Sequence, residues 1–159
     1  MIRKVTSADY DAVWDIFSQV IHSGDTYVFR PNTPKKDLAG LWLASNMHTY
    51  VYEKNGTILG TYFIKANQID LGSHIANAGY MVHPNAQGKG IGKQLCEHSL
   101  DEARKLGFKA MQFNLVVSTN EGALHLWKKI GFEIVGTIPK AFEHRELGLI
   151  DAHVMYMEL

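Results

Sequence analysis

The sequence contains a single cysteine, Cys96, among its 159 residues. One cysteine excludes an internal disulfide and any metal site built from several cysteines. Sixteen Lys and Arg residues balance sixteen Asp and Glu residues, so no global field favours nucleic acid or an anionic membrane. The N-terminal segment lacks a long apolar run, and no later run approaches a membrane span. These absences predict a cytoplasmic protein that binds neither nucleic acid nor membrane.

The eight histidines also lack a metal-binding pattern. No His-x-x-x-His pair falls on a predicted helix, and no Cys/His cluster occurs. We therefore predict no metal site.

Two hydrophobic periods alternate along the chain and predict an α/β fold in one domain, residues 1–159. Helical spacing between Val13 and Ile21 predicts a first helix, and the segment 30–45 predicts a second, capped by Thr33. Two β-rich runs flank Lys54-Asn55-Gly56 and predict a hairpin. Strands and helices then alternate, which predicts a mixed central sheet of six to seven strands flanked by about four helices.

The stretch HPNAQGKGIGKQL, residues 83–95, contains three closely spaced glycines between a predicted strand and a predicted helix. Such a junction exposes backbone N–H groups at the positive end of a helix dipole, where an anion such as phosphate binds. The P-loop motif is excluded because no Gly-Lys-Ser/Thr closes the loop. The dinucleotide fingerprint is excluded by the spacing Gly-x-Gly-x-Gly and by the lack of an acidic residue from Lys105 to Asn120.

A third motif fits this stretch. Gln87-x-x-Gly90-x-Gly92 resembles the pyrophosphate loop of the GNAT acetyltransferase superfamily, whose pattern is Arg or Gln, two residues, Gly, one residue, Gly or Ala. Downstream, FNLVVSTNEGALHLWKKIGFEIVG resembles the fifth strand and following helix of that family. These motifs cover roughly half of the chain, and the order of the other predicted elements agrees.

The resemblance implies acetyl-CoA as co-substrate and direct transfer of its acetyl group to an amine. It also implies that strands four and five splay apart and that a backbone N–H of Met81 or Val82 holds the thioester carbonyl. It places Asn120 and Trp127 beside the cofactor. The residues it assigns to the pyrophosphate are Gln87, Gly88, Lys89, Gly90, Ile91 and Gly92, with Lys93 close by.

Two departures from the family concern proton transfer. Trp127 stands where the family often has a tyrosine that protonates the departing thiolate, and an indole N–H does not release its proton near neutral pH. The predicted fourth strand, IANAGYMV, carries none of the carboxylates common there. Four distant residues are the remaining candidates for a base, and we assign none of them: Glu53, Asp70, His74 and Glu143.

Asparagines inside apolar runs mark a candidate acceptor site. Asn77 and Asn114 either hydrogen-bond to strand backbone where the sheet splays or hold a small polar substrate. Together with Asn120 they are similar to the fungal proline-analogue branch of the superfamily, and GDTYVFRPNTPKKDLAGLWL is similar to the phosphinothricin branch. Arg145, before the last strand, is a candidate for binding a substrate carboxylate.

The expected function is therefore N-acetylation of a small amino-acid-like amine. Two alternatives stay open at this point: an acetyl-CoA sensor without turnover, and an acetyltransferase acting on a peptide N-terminus or lysine. A homodimer is also left open.

Overall fold

The computed structural model describes residues 1–159 and contains one seven-stranded sheet with helices on both faces. The strand order is β1-β2-β3-β4-β5-β7-β6, and only β4 and β5 pair in parallel. The predicted α/β fold with a mixed sheet and four helices is confirmed. The elements are β1 Ile2–Lys4, α1 Tyr10–His22, α2 Leu38–Leu41, β2 His48–Lys54, β3 Thr57–Ala66, β4 Ile75–Val82, α3 Ile91–Lys105, β5 Ala110–Val117, α4 Glu121–Ile130, β6 Glu133–His144 and β7 Gly148–Glu158.

The hairpin between β2 and β3 forms where the sequence predicts it. Asn55 and Gly56 have φ angles of 51° and 76°. Two successive positive φ values are what a tight two-residue hairpin turn requires, and Asn-Gly accepts them at low cost.

The predicted second helix is much shorter than expected. Segment 30–45 contains a 3₁₀ turn, Lys35–Asp37, followed by the four-residue α2. Gly40 lies inside this helix and lowers its intrinsic stability. The segment is held instead by burial, because Leu38 and Trp42 are fully buried and the Trp42 Nε1 donates to Thr61 Oγ1 at 3.1 Å.

Two hydrophobic clusters lie on opposite faces of the sheet. One packs α1, α2 and their connecting loop against β2, β3 and β4. The other packs α3 and α4 against the strands from β2 to β7. No helix in the structure is both long and apolar enough to cross a lipid bilayer.

The sheet opens between β4 and β5. Their parallel pairing covers only Ile75 with Ala110 and Ala76 with Met111. At the next position the Asn77 Nδ2 donates to the Gln112 backbone oxygen at 3.0 Å, and no strand pairing continues beyond it. The remainder of β4 therefore has β3 on one side and an open edge on the other.

Candidate functional site

The glycine-rich turn after β4 is shaped by backbone that only glycine adopts readily. Gly88 and Gly90 have φ angles of 73° and 75°, and Gly90 is the N-cap of α3. A Cβ built at either position would have no heavy atom within 4 Å. The space beside both residues is thus open to a ligand.

Six consecutive backbone N–H groups in this turn have no acceptor within the protein. They belong to residues 88–93, and the first helical hydrogen bond at this end is from Gln94 N–H to Gly90 O, at 3.2 Å. Unpaired N–H groups at a helix N-terminus attract anions, and six of them match the several oxygens of a pyrophosphate. The residues present therefore fit the phosphate end of acetyl-CoA.

The two lysines of the turn lie at its rim. The Lys89 Nζ donates to the Asn85 backbone oxygen at 2.9 Å, and the Lys93 Nζ lies 3.6 Å from Glu97 Oε1. Both side chains are exposed, so each can contribute positive charge near a bound anion while remaining in contact with solvent.

The open edge of β4 is occupied at one point by a phenol. The Tyr27 hydroxyl accepts from the Tyr80 backbone N–H at 2.8 Å and donates to the Tyr80 backbone oxygen. On the opposite side, His83 N–H donates to the backbone oxygen of Leu59, which belongs to β3. Because backbone groups alternate along a strand, the N–H of Met81 faces β3 and the N–H of Val82 faces the open edge.

The tyrosines at this edge are neutral hydrogen-bonding groups. Burial raises the pKa of Tyr27 above its usual range, and burial likewise raises the pKa of Tyr80. Neither hydroxyl is therefore a base near neutral pH.

A cavity of about 440 Å³ adjoins the open edge of β4. One wall comes from β3, α2 and the α1–α2 loop and is largely aromatic, through Tyr27, Phe29, Trp42 and Phe63. The other comes from β5 and α4 and includes Trp127. Tyr80 lines the cavity, whereas neither Met81 nor Val82 does. This volume is typical of a small-molecule site.

Trp127 lies among aromatic rings. Its ring centroid is 5.1 Å from those of Tyr80 and Phe113 and 6.4 Å from that of Phe132. The side chain is buried and contributes to the hydrophobic core as well as to the cavity wall.

The three asparagines predicted at the site line this one cavity. Asn77 ties β4 to β5 through its Nδ2, and its Oδ1 has no partner within the protein. The Asn114 Nδ2 donates to Asn67 Oδ1 at 2.7 Å, and its Oδ1 accepts from Gln112 Nε2 at 3.1 Å. Each amide thus has a structural partner and still faces the cavity.

Asn120 caps α4. Its Oδ1 accepts from the Ala123 N–H at 3.3 Å, and its amide nitrogen has no partner within the protein. Capping of this kind is a common use of asparagine.

Arg145 does not line the cavity. It is exposed in the turn between β6 and β7, where its backbone N–H donates to Gly24 O at 3.2 Å. The four distant base candidates are also absent from the cavity wall, and Glu53 instead forms an ion pair with Arg3 at 2.8 Å. No carboxylate or imidazole lines the cavity.

Among the cavity residues that sequence reasoning did not assign to the site, three carry polar groups that matter for its chemistry: Tyr27, Lys65 and Tyr80. For Lys65 a signal existed in the alternation of β3, because the residue lies directly opposite Asn77 on β4. Tyr27 gave no comparable signal, since its partner is 53 residues away.

Comparisons with known proteins agree with this geometry. A sequence model described as the Acetyltransferase (GNAT) family matches residues 10–132. The chain is 35% identical over 112 residues to the N-acetyltransferase aca1 of Schizosaccharomyces pombe, covering 70% of this chain and 54% of that protein. It is 29% identical over 144 residues to the L-amino acid N-acyltransferase MnaT of Escherichia coli, covering 87% of this chain and 83% of that protein.

Among solved structures, a GCN5-related N-acetyltransferase from Kribbella flavida superposes with a TM-score of 0.94 at 36% sequence identity. That superposition covers 100% of this chain and 97% of the other. The chain spans little more than half the length of the fission-yeast relative but most of the bacterial ones.

Proposed function

The chain belongs to the GNAT acetyltransferase family, and from this premise we propose that it transfers the acetyl group of acetyl-CoA to the amine of a small amino-acid-like substrate. Dependence on acetyl-CoA follows from the family itself. The choice of acceptor is supported by one observation above all. A turn with six unpaired backbone N–H groups and a small, mostly apolar cavity lie along the same open edge of β4.

The glycine-rich turn would hold the pyrophosphate. Its six free N–H groups supply hydrogen bonds, and the exposed Lys89 and Lys93 add positive charge at the rim. Gln87 and Ile91 flank the turn, and Ile91 is buried as the first residue of α3. Acetyl-CoA supplies the acetyl group as a thioester.

Two backbone N–H groups of β4, those of Tyr80 and Val82, face the open edge. Val82 is nearer the glycine-rich turn and Tyr80 is nearer the cavity, two residues away on the same edge. In this proposal the N–H of Val82 binds the arm that leads from the pyrophosphate. The N–H of Tyr80 then holds the carbonyl at which the amine attacks, since donors aimed at a developing oxyanion lower the barrier. Met81, whose N–H faces β3, is left out of this role.

The Tyr27 hydroxyl lies where that carbonyl would bind. Because it now pairs with both backbone groups of Tyr80, it must shift when the N–H of Tyr80 takes a new acceptor. A neutral phenol that remains close is still able to donate a hydrogen bond.

Relatives support an amino-acid-like acceptor. One curated relative is named for L-amino acid N-acylation and another as an L-methionine sulfoximine/L-methionine sulfone acetyltransferase. The cavity agrees in size and in carrying the amides of Asn77, Asn114 and Asn120 on an otherwise apolar wall.

A thiol-release assay tests the proposal. Purified protein is incubated with acetyl-CoA and a panel of amino acids, simple amines and short peptides, and free CoA thiol is measured. Release with amino acids, and acetylation of their amines, is expected. Acetyl-CoA binding without release for any amine would instead identify a sensor, and release with peptides alone would identify a peptide acetyltransferase.

The pH dependence of the reaction should follow the acceptor and not the protein. No carboxylate or imidazole lines the cavity, so the acceptor's own ammonium group must lose its proton to water. We expect log kcat/KM to rise with unit slope up to the ammonium pKa, about 10 for a simple alkylamine. The measurement is a pH–rate profile for two acceptors whose amines differ in pKa. A common break near pH 6–7 for both would reveal a base in the protein.

Substitution of Trp127 by phenylalanine should change turnover only modestly. Its indole lies in an aromatic cluster and cannot protonate a thiolate, while a thiol with a pKa near 8.5 departs tolerably without an acid. Any loss should appear in the KM for acetyl-CoA, measured by steady-state kinetics. A thousandfold drop in kcat with the fold and cofactor binding intact would contradict a packing role.

A further inference from the structure

Lys65 is the only charged residue that lines the cavity. It lies on β3, is half-buried, and takes part in none of the ion pairs of the structure. A cation beside an apolar wall is costly unless water or a ligand supplies a partner. The cavity therefore carries an unpaired positive charge to which a negatively charged ligand group would bind favourably.

The geometry places this cation close to the reacting edge. Phe63 precedes Lys65 by two residues on the same face of β3, and its ring lies over Gly79, with Cε1 2.7 Å from the position of a Cβ there. The Lys65 Nζ is 5.7 Å from the centroid of that ring. The backbone of Lys65 lies opposite Asn77, and its ammonium group is displaced along the strand toward Gly79 and Tyr80.

We propose that Lys65 binds the carboxylate of the acceptor and so selects α-amino acids over amines that lack a carboxylate. This inference rests on the proposed function and names the substrate class of the same cavity. In an α-amino acid a single carbon joins the amine to the carboxylate. In this arrangement the carboxylate pairs with Lys65, and the amine attacks the carbonyl that the N–H of Tyr80 holds.

The same charge works against other acceptors. A simple alkylammonium ion would meet Lys65 as a like charge with no compensating partner. An amino acid amide would lose the charge-assisted hydrogen bond that the carboxylate makes. Hydrogen bonds between the substrate amine and Asn77 or Asn114 would remain for all three acceptors and so would not discriminate between them.

The experiment compares L-leucine with L-leucinamide, which differ only in the carboxylate. The α-amino group beside an amide has a pKa of about 7.7–8.0, so the amide presents more free amine, and a preference for the acid would arise in spite of that. We expect the wild-type protein to prefer leucine in kcat/KM. Lys65→Met should reduce the leucine-to-leucinamide ratio by at least about tenfold, mainly through the KM for leucine, and Lys65→Arg should restore most of it.

Two controls separate this role from a structural one. The exposed strand residue Lys54 lies outside the cavity, so Lys54→Met should keep the wild-type ratio. The thermal shift produced by acetyl-CoA should be the same in wild type, Lys65→Met and Lys65→Arg, because the phosphates bind elsewhere. If Lys65→Met fails to fold, Lys65→Gln takes its place.

An unchanged ratio in Lys65→Met overturns the inference while leaving the proposed function intact. Equal kcat/KM of the wild-type protein for the free-amine forms of leucine and leucinamide does the same. If the wild-type protein acetylates no small amine at all, the proposed function fails and the role of Lys65 fails with it.

Discussion

Replacement of Gly92 by aspartate should abolish acetyl-CoA binding without unfolding the protein. Gly92 is in the first turn of α3, and a Cβ there would make only ordinary contacts, 3.6 Å to Leu126 and 3.9 Å to Val82. A carboxylate at a helix N-terminus is favourable by about 0.3–1 kcal/mol, so the unliganded variant should be at least as stable as wild type. The same carboxylate would repel the pyrophosphate and cover its N–H donors.

Thermal unfolding with and without acetyl-CoA measures this effect. A ligand at a hundred times its dissociation constant stabilises the native state by about 2.7 kcal/mol, which corresponds to a rise in Tm of about 5–11 °C for a chain of this size. The rise should appear in wild type and vanish in Gly92→Asp. Gly92→Ala is the matched control, because it adds the Cβ without the charge and should retain most of the shift. An equal rise in Gly92→Asp would remove the turn from the cofactor site.

Gly90→Asp is a less clean experiment, although it should also abolish binding. Gly90 has a φ of 75°, which a side chain adopts only with strain. Loss of binding there would combine backbone strain with charge, whereas Gly92 carries no such constraint.

Substitution of Asn77 by alanine should lower kcat/KM for the acceptor by roughly ten- to a hundredfold. Asn77 lines the cavity and its Oδ1 has no partner within the protein, so it would accept from the substrate amine, which gains positive charge as it attacks; a hydrogen bond to a charged group is worth about 1.5–3 kcal/mol. Acetyl-CoA affinity should change little, because its phosphates are held at the other end of the open edge. Asn114→Ala should show the same pattern through the amide that now pairs with Asn67.

The structural role of Asn77 has to be separated from this effect. Its Nδ2 also ties β4 to β5, so Asn77→Ala should cost about 1 kcal/mol of unfolding free energy through that bond alone. Kinetics should therefore be measured well below the Tm of each variant and compared with its acetyl-CoA thermal shift. Wild-type kcat/KM in both variants, or damage fully explained by lost stability, would make both residues purely structural.

Local sequence signals predicted the parts of the fold that short-range chemistry determines. The Asn55-Gly56 turn and the glycine-rich junction before α3 each depend on a few neighbouring residues. The second helix was predicted too long, because Leu38 and Trp42 give helical spacing while burial, and not helix propensity, holds that segment.

The extent of β6 depended on a long-range contact. The strand runs to His144, past an irregularity at which Lys140 has a φ of 53°. The Lys140 N–H donates to the Asp151 Oδ1 of β7 at 3.0 Å, and regular pairing resumes at Phe142 with Ile150. A bulge that is stabilised across the hairpin leaves no clear mark in the residues that form it.

The candidate site likewise has one part that the sequence predicted and one part that it did not. The phosphate end was predictable because one continuous stretch builds it. The cavity is assembled from segments as far apart as Tyr27 and Trp127, so the contact of the Tyr27 phenol with Tyr80 emerged only with the fold, and the alternation of β3 was the one sequence signal for Lys65.

The open edge of β4 has a consequence for aggregation. An unpaired strand edge is a template on which another polypeptide can add, and such edges are usually blocked. Here the Tyr27 phenol satisfies both backbone groups of Tyr80, and the loop that carries it covers the cavity side of the strand. Tyr27 thus takes the place of a neighbouring strand at this position. A narrow ligand can still reach the edge, but another chain would not find the continuous row of free backbone groups that it needs to extend the sheet.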